Sequence, residues 1–113
     1  MAAIALDKGH FESYRTRAVA HAKLSHHKEV ISDCSKAISL DASCVDCLTM
    51  RAAVYLEQGE IEKSIQDCDA ALKLDSTLAE TYRIRAAARF KAGDKEKATD
   101  DFNQALRLEA SKK

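Results

Sequence analysis

Residues 48–75 read LTMRAAVYLEQGEIEKSIQDCDAALKLD, two amphipathic segments that meet at Gly59. The apolar positions on either side of that glycine recur every three or four residues, which is the periodicity of a helix with one buried face. Glycine at such a junction supplies the left-handed backbone conformation with which many helices end. The stretch therefore predicts two helices that are joined by a tight turn and pack antiparallel.

The same pattern occurs three times along the chain, with a period of 34 residues. The repeating positions are Arg17, Arg51 and Arg85; Asp33, Asp67 and Asp101; and Ala37, Ala71 and Ala105. A fixed period of this length indicates units that bury their apolar faces by stacking on one another. The expected helices span residues 11–24, 27–41, 45–58, 61–75, 79–92 and 95–110. The predicted fold class is all-α, an α-solenoid of antiparallel helix pairs.

The period also divides the chain into segments. Residues 11–44, 45–78 and 79–113 form three repeats, and residues 1–10 are expected to be the end of a preceding repeat helix because residues 3–7 match residues 37–41. We expect a single domain, 1–113, taken from a longer array. Its uncapped ends would leave apolar surface exposed, so self-association through those ends is expected.

Composition excludes several functional classes. The chain of 113 residues has 18 basic and 18 acidic side chains, so its charge gives no footprint for nucleic acid or an anionic membrane. No apolar run approaches the roughly 20 residues of a membrane span. There are four cysteines and no secretory signal. Reduced thiols and a cytoplasmic or nuclear location are expected.

In each repeat an arginine precedes an aspartate by 16 residues, and the two lie equally far from the turn between the helices. The pairs are Arg17 with Asp33, Arg51 with Asp67 and Arg85 with Asp101. Each pair should face across its hairpin and form a charge-assisted hydrogen bond that joins the two helices. We interpret the pairs as structural, since catalysis would require three identical sites without a nucleophile.

The sequence contains no catalytic motif, so we predict no enzymatic activity, no catalytic residue and no cofactor. Cys44 and Cys47 have the spacing of zinc ligands, but one such pair is half a site. Cys34 and Cys68 fall at core positions of the repeat, where thiols behave as small apolar groups. We therefore predict no metal site. A zinc- or redox-regulated switch at Cys44 and Cys47 is kept as an alternative.

The repeat resembles the tetratricopeptide repeat (TPR). The second copy supplies its pattern with Leu48, Ala52, Tyr55, Gly59, Ser64, Cys68 and Ala71. The third supplies Tyr82, Ala86, Arg89, Gly93, Ala98, Phe102 and Ala105, and the first supplies Tyr14, Ala18, His21, Ser25, Val30, Cys34 and Ala37. The Arg-Ala and Asp-Cys signatures further resemble TPR segments of co-chaperones, including the DnaJ type.

This resemblance implies a right-handed solenoid whose concave surface, lined by the first helix of each repeat, binds another protein. The groove residues that it selects are Arg15, Val19, Met50, Leu56, Arg83, Ile84, Phe90 and Lys91. Charges over the whole first-helix surface cancel: Arg15, Lys23, Arg83 and Lys91 against Glu12, Asp46, Glu57 and Glu80. An apolar floor with basic residues at the rim suits an extended peptide or an amphipathic helix.

The predicted function is therefore a non-catalytic protein–protein interaction scaffold. The alternative is a co-chaperone segment that recruits a heat-shock chaperone or a client. One branch of the family holds acidic chaperone tails in a clamp of basic and amide side chains. Carried over to this chain, the clamp falls on Arg15, Val19, Met50, Glu80 and Ile84. Only the arginine has suitable chemistry, so we expect the clamp to be absent.

Overall fold

The computed structural model describes the backbone of residues 2–111 and the side chains of residues 10–111. Its helices are α1 (Ala2–Lys23), α2 (His27–Leu40), α3 (Val45–Glu57), α4 (Ile61–Leu74), α5 (Ala79–Lys91) and α6 (Lys95–Ala110). The described residues contain no strand, and the prediction of an all-α solenoid is confirmed. None of these helices, over the part of the chain that is described, combines the length and hydropathy needed to cross a bilayer.

Helix packing explains the curvature of the solenoid. Three hairpins form from α1 with α2, α3 with α4 and α5 with α6, and they stack through α2 on α3 and α4 on α5. The first helices also contact one another, α1 with α3 and α3 with α5. No comparable contact joins α2 with α4 or α4 with α6 within the described residues. The first helices are therefore closer together, and their side of the solenoid is concave.

Small side chains occupy the centre of each hairpin. Ala18, Ala52 and Ala86 lie on the first helices at equivalent positions and are fully buried. Cys68 on α4 is also fully buried, and it packs with Ala52 and Ile84. Small residues at these points allow neighbouring helices to approach closely, so the packing density of an interior is reached without large side chains.

All three hairpin turns close in the same way. Ser25, Gly59 and Gly93 have φ angles of 58°, 81° and 91°. The next amide in each turn donates to the carbonyl five residues earlier, at 2.9 Å, 2.8 Å and 2.9 Å. These are the bonds of a Schellman helix ending. Ser25 adopts the left-handed conformation despite its Cβ, so the first turn carries strain that the two glycine turns avoid.

The N-terminal boundary differs from the prediction. We expected a separate helix to end near residue 10, whereas α1 is continuous from Ala2 to Lys23. Of the described elements, α1 contacts only α2 and α3. The assignment of residues 1–10 to a preceding repeat stays a prediction.

Candidate interaction groove

A groove of about 950 Å³ lies on the concave side of the solenoid. The first helices contribute Arg15, Val19, Ala22, Asp46, Thr49, Met50, Ala53, Val54, Glu57, Ala79, Glu80, Thr81 and Arg83. Ser25, His27, Leu78 and Glu109 complete its walls from the remaining elements. The groove draws on all three hairpins, and the stacking of the repeats therefore creates it.

The floor of the groove is formed by apolar and small side chains. Val19 is 37 % exposed, and Met50 is half-buried where it packs against the core between the first two hairpins. The Thr49 and Thr81 hydroxyl groups form a hydrogen bond of 3.0 Å that joins α3 to α5. Thr81 is fully buried, so its hydroxyl group is already used within the protein. The floor offers mainly apolar surface to a ligand.

The two arginines of the groove are both paired with carboxylates. Arg15 donates to Glu12 Oε1 at 3.0 Å and to Asp46 Oδ2 at 3.2 Å. These bonds, the one to Glu12 foremost, raise the pKa of the Arg15 guanidinium. Arg83 Nη1 lies 2.7 Å from Glu109 Oε1 on α6. Each guanidinium keeps further N–H donors, but the carboxylates beside it offset its positive charge.

The remaining acidic side chains leave the groove with a net negative charge. Glu57 Oε2 lies 2.6 Å from His27 Nε2, and the Glu57 side chain is 63 % exposed. Glu80 is exposed and lines the groove, with no ion pair to another described residue. The lining thus contains two arginines against four carboxylates, those of Asp46, Glu57, Glu80 and Glu109. Two minus four gives a charge of −2 when His27 is neutral.

The structure brings together part of the predicted groove. Arg15, Val19, Met50 and Arg83 line it as a group. Their contact with a partner stays a prediction.

The other predicted groove residues lie elsewhere. Ile84 is buried in a cluster with Ala52 and Cys68, and Leu56 packs against that cluster. Phe90 is 58 % exposed at the end of α5, and Lys91 follows it. Adjacent helical residues point about 100° apart. Because Arg83 faces the groove, its neighbour Ile84 faces the core.

The structure also changes the charge balance that the sequence suggested. Glu12, Lys23 and Lys91 do not line the groove, while Glu109 enters it from α6. Sequence reasoning considered only the first helices and missed this residue. The repeat pattern does not identify Glu109 as a groove residue, because Glu109 lies near the end of a second helix and reaches the groove through its contact with Arg83.

Each predicted arginine–aspartate pair does meet across its hairpin. Arg17 bonds Asp33 at 2.9 Å and 2.7 Å, Arg51 bonds Asp67 at 2.8 Å twice, and Arg85 bonds Asp101 at 3.0 Å and 2.8 Å. In every case two guanidinium nitrogens reach the two carboxylate oxygens, the geometry that makes such pairs strong and directional. All three carboxylates are buried.

Two of these arginines also reach the preceding hairpin. Arg51 Nη1 donates to Ser35 Oγ at 2.9 Å, and Arg85 Nη1 donates to Asp69 Oδ1 at 2.8 Å. Each acceptor precedes its arginine by 16 residues. That symmetric spacing was present in the sequence and could have revealed the contact. The arginines thus join hairpins as well as helices.

The cysteines form buried clusters of free thiols. Cys44 and Cys47 have their sulfur atoms 2.6 Å apart, and Cys34 lies in the same core cluster. Burial raises the pKa of the Cys44 thiol to about 12 and that of Cys68 to about 12. The contact with Cys34 and burial raise the pKa of Cys47 as well. Searched over its described side chains, the chain shows no group of three or more that could hold a metal ion.

Comparison with known proteins identifies the repeat. Residues 45–78, the second hairpin, match the family model described as tetratricopeptide repeat. No curated protein matches the sequence significantly.

Solved structures show the same fold over nearly the whole chain. The second TPR of Spaghetti (RPAP3), bound to the HSP90 peptide SRMEEVD, is 24% identical with a TM-score of 0.87, over 96% of this chain and 99% of that one. The Arabidopsis OM64 TPR domain is 26% identical with a TM-score of 0.89, over 92% and 86%. The second TPR domain of human RPAP3, in complex with the HSP70 peptide SGPTIEEVD, is 25% identical with a TM-score of 0.85, over 92% and 87%. The resemblance to TPR proteins is confirmed.

Proposed function

We propose that this tetratricopeptide-repeat solenoid is a non-catalytic scaffold, which binds a peptide or an amphipathic helix of a partner protein in the groove between its first helices. The observation that carries the proposal is the groove itself, about 950 Å³ in volume, with Val19 and Met50 on its floor and charged side chains on its walls. An apolar floor under a polar rim is the usual arrangement for peptide recognition. Related folds hold peptides, as the two RPAP3 domains do.

The chemistry of the groove agrees with a non-catalytic role. The Thr49 and Thr81 hydroxyl groups bond each other rather than a base. His27 contacts Glu57, and neither of them bonds a hydroxyl or thiol group among the side chains that are described. A nucleophile beside a base is the usual mark of covalent catalysis. A cytoplasmic or nuclear location is part of the proposal, supported by four buried free cysteines.

The alternative function, recruitment of a heat-shock chaperone or a client, is supported by the peptides in the RPAP3 structures. The side chains at the clamp positions argue against binding of an acidic chaperone tail. Arg15 is already paired, Ile84 is buried in the core, and Glu80 would repel a terminal carboxylate. A client or chaperone bound through apolar contacts fits this groove better. The resemblance to DnaJ-type co-chaperones stays a prediction.

The cysteine alternative is a switch at Cys44 and Cys47. Their sulfur atoms are close, which supports a disulfide-forming pair, but the raised thiol pKa values disfavour the reactive thiolate. Metal analysis of the purified protein tests zinc binding, and thiol titration after treatment with hydrogen peroxide tests oxidation. The expected results are no bound metal and four unmodified thiols.

Self-association through the exposed apolar face of α5 and α6 is also part of the proposal. Phe90, Phe102 and Leu106 are 58 %, 46 % and 62 % exposed at the α5–α6 end. Cys68 is equivalent to Phe102 one repeat earlier and is fully buried. Burial of such a face is the favourable term in association. Light scattering over a range of concentrations should show a rising mass, and a constant monomer mass would contradict self-association.

The groove is tested by changing its floor. A Val19→Asp/Met50→Asp variant places two charges where an apolar contact is expected, and it should lose the partners that the parent protein retains from a cell extract. Leu40→Asp/Leu74→Asp is the matched control, because both leucines are exposed and lie outside the groove. Circular dichroism establishes that both variants are folded. Equal retention of partners by the two variants would contradict a role for the groove.

A further inference from the structure

We propose that the groove selects a basic partner, a peptide or helix that carries lysine or arginine beside its apolar anchors. This inference rests on the proposed function and adds the chemistry of the ligand. It follows from the charges that the groove leaves unpaired rather than from its shape. Three observations carry it.

The first observation is that the groove has no free cation among the described side chains that line it. Arg15 is shared between Glu12 and Asp46, and Arg83 is held by Glu109. An acidic ligand near either arginine would also lie near the carboxylate that the arginine already binds, so much of the attraction would be offset by repulsion. The basic rim that the sequence suggested is therefore neutralised within the protein.

The second observation is that carboxylates remain available. Glu80 has no ion pair within the described structure and is exposed at the start of α5. Glu57 contacts only the His27 imidazole and keeps 63 % of its side chain exposed. Both line the groove. A lysine or arginine of a ligand would gain a partner there, whereas a carboxylate would meet like charge.

The third observation is that acidic residues repeat across the solenoid. Glu12, Asp46 and Glu80 occupy the same position in successive repeats, 34 residues apart. Asp46 and Glu80 lie in the first turns of α3 and α5, where a helix dipole favours negative charge. The dipole supplies only about half an elementary charge at each helix end. Glu12 lies beside the groove rather than in its lining and shares Arg15 with Asp46, so Glu80 is the carboxylate of this row that keeps its charge unpaired in the groove.

This arrangement separates the protein from the RPAP3 domain bound to SRMEEVD. That peptide ends in two glutamates, a valine and an aspartate. In the present groove its carboxylates would enter a lining of net negative charge, in which both arginines already have carboxylate partners. A peptide with the same apolar residues and with basic side chains would instead meet groove side chains of opposite charge. The two domains share a fold and should differ in the charge of the ligand they prefer.

The experiment uses three peptides with one apolar framework. They are SRMEEVD with a free carboxyl end, SRMQQVN as an amide and SRMKKVK as an amide, each titrated calorimetrically into the whole chain. We expect the basic peptide to bind about fivefold more tightly than the neutral one, and the neutral one more tightly than the acidic one, because exposed charge pairs are individually weak. The differences should shrink at high salt.

A variant in which the two groove glutamates are neutral tests whether they cause the preference for the basic peptide. Glu57→Gln/Glu80→Gln should lower the affinity for SRMKKVK about fivefold and leave SRMQQVN unchanged. Glu62→Gln/Glu96→Gln is the matched control, because both glutamates are exposed and lie outside the groove. The control should retain the order of the three peptides.

The outcomes distinguish the inference from the function on which it rests. If SRMEEVD or SRMQQVN binds as tightly as SRMKKVK, the inference is overturned and the groove function stands. If the Glu57→Gln/Glu80→Gln variant keeps the full preference, the inference is also overturned. If none of the peptides binds, or if Val19→Asp/Met50→Asp binds all three as the parent does, the groove function fails as well.

Discussion

The Arg17–Asp33 and Arg51–Asp67 pairs have the same bonds in different surroundings. Each guanidinium binds both carboxylate oxygens. The Arg17 side chain is 60% exposed, whereas that of Arg51 is 19% exposed and also reaches the preceding hairpin. Solvent screens the first pair, while the second is enclosed by neighbouring repeats. The sequence of a repeat specifies the bond, and the burial produced by stacking determines how much the bond contributes to stability.

The largest effect is expected for Arg51→Ala in the central hairpin. It leaves the buried carboxylate of Asp67 without another ion pair in the described structure, and an unpaired buried charge is costly. The free energy of unfolding should fall by about 3 kcal/mol, the low end for a buried pair because the arginine is partly exposed. Urea denaturation measures it. The Arg51→Ala/Asp67→Ala double variant should lose less than the sum of the single changes, and strict additivity would contradict the coupling.

A smaller effect is expected for Arg85→Ala in the last hairpin. Asp101 would keep its bond from Arg89 Nη1 at 2.8 Å, so its carboxylate is not left alone. We expect a loss of about 2 kcal/mol in the free energy of unfolding. The matched control is Arg89→Ala, which leaves the Arg85 pair intact. Arg85→Ala/Arg89→Ala should cost more than the sum of the two, since only the double change leaves the carboxylate unpaired.

Of the three arginine substitutions, Arg17→Ala should cause the smallest loss in the free energy of unfolding. Its guanidinium is exposed, and the buried Asp33 keeps His21 Nε2 at 3.9 Å. The bond to Asp33 raises the pKa of Arg17, but water competes for that bond more than it does at Arg51. The urea midpoint should shift less than for either other arginine. A shift as large as that of Arg51→Ala would show that burial does not set the order.

The thiols should contribute no pH dependence of stability at neutral pH, and the buried thiols should destabilise the fold at high pH as they ionise. Burial raises the pKa of Cys68, at the α4–α5 junction, from 9.0 to about 12. The folded state then holds the proton more firmly than the unfolded state, so stability is full below about pH 9 and is lost as the pH rises towards 12. Urea midpoints at pH 7, 9 and 10 measure this loss. Cys68→Ala should reduce the slope without abolishing it, because the pKa values of Cys44 and Cys47 are raised as well; an unchanged slope would contradict a contribution from Cys68.

The sequence predicted those features that depend on spacing alone. The five helices after α1 begin and end within one residue of their expected bounds, because periodicity and turn residues determine them. The three arginine–aspartate pairs were predicted because two positions equally far from a turn must face each other.

Other features depend on tertiary packing and were missed. Ile84 is buried in a core cluster and Leu56 packs against that cluster, because contacts between hairpins determine which first-helix side chains are covered, and a family pattern does not record those contacts. Glu109 reaches Arg83 from another helix.

The backward contacts of the arginines give the solenoid a preferred order of opening. Arg85 bonds the charged carboxylate of Asp69, whereas Arg51 bonds the neutral hydroxyl of Ser35, and a pair of opposite charges is the stronger contact. Arg15–Asp46 and His27–Glu57 also join the first hairpin to the second, but both pairs are largely exposed and exposed pairs contribute little, so detaching the first hairpin breaks the weaker polar links. Under mechanical tension, or in native-state hydrogen exchange, α1 and α2 should separate before α5 and α6. The three repeats are similar in sequence, but the solenoid should unfold first at its N-terminal hairpin.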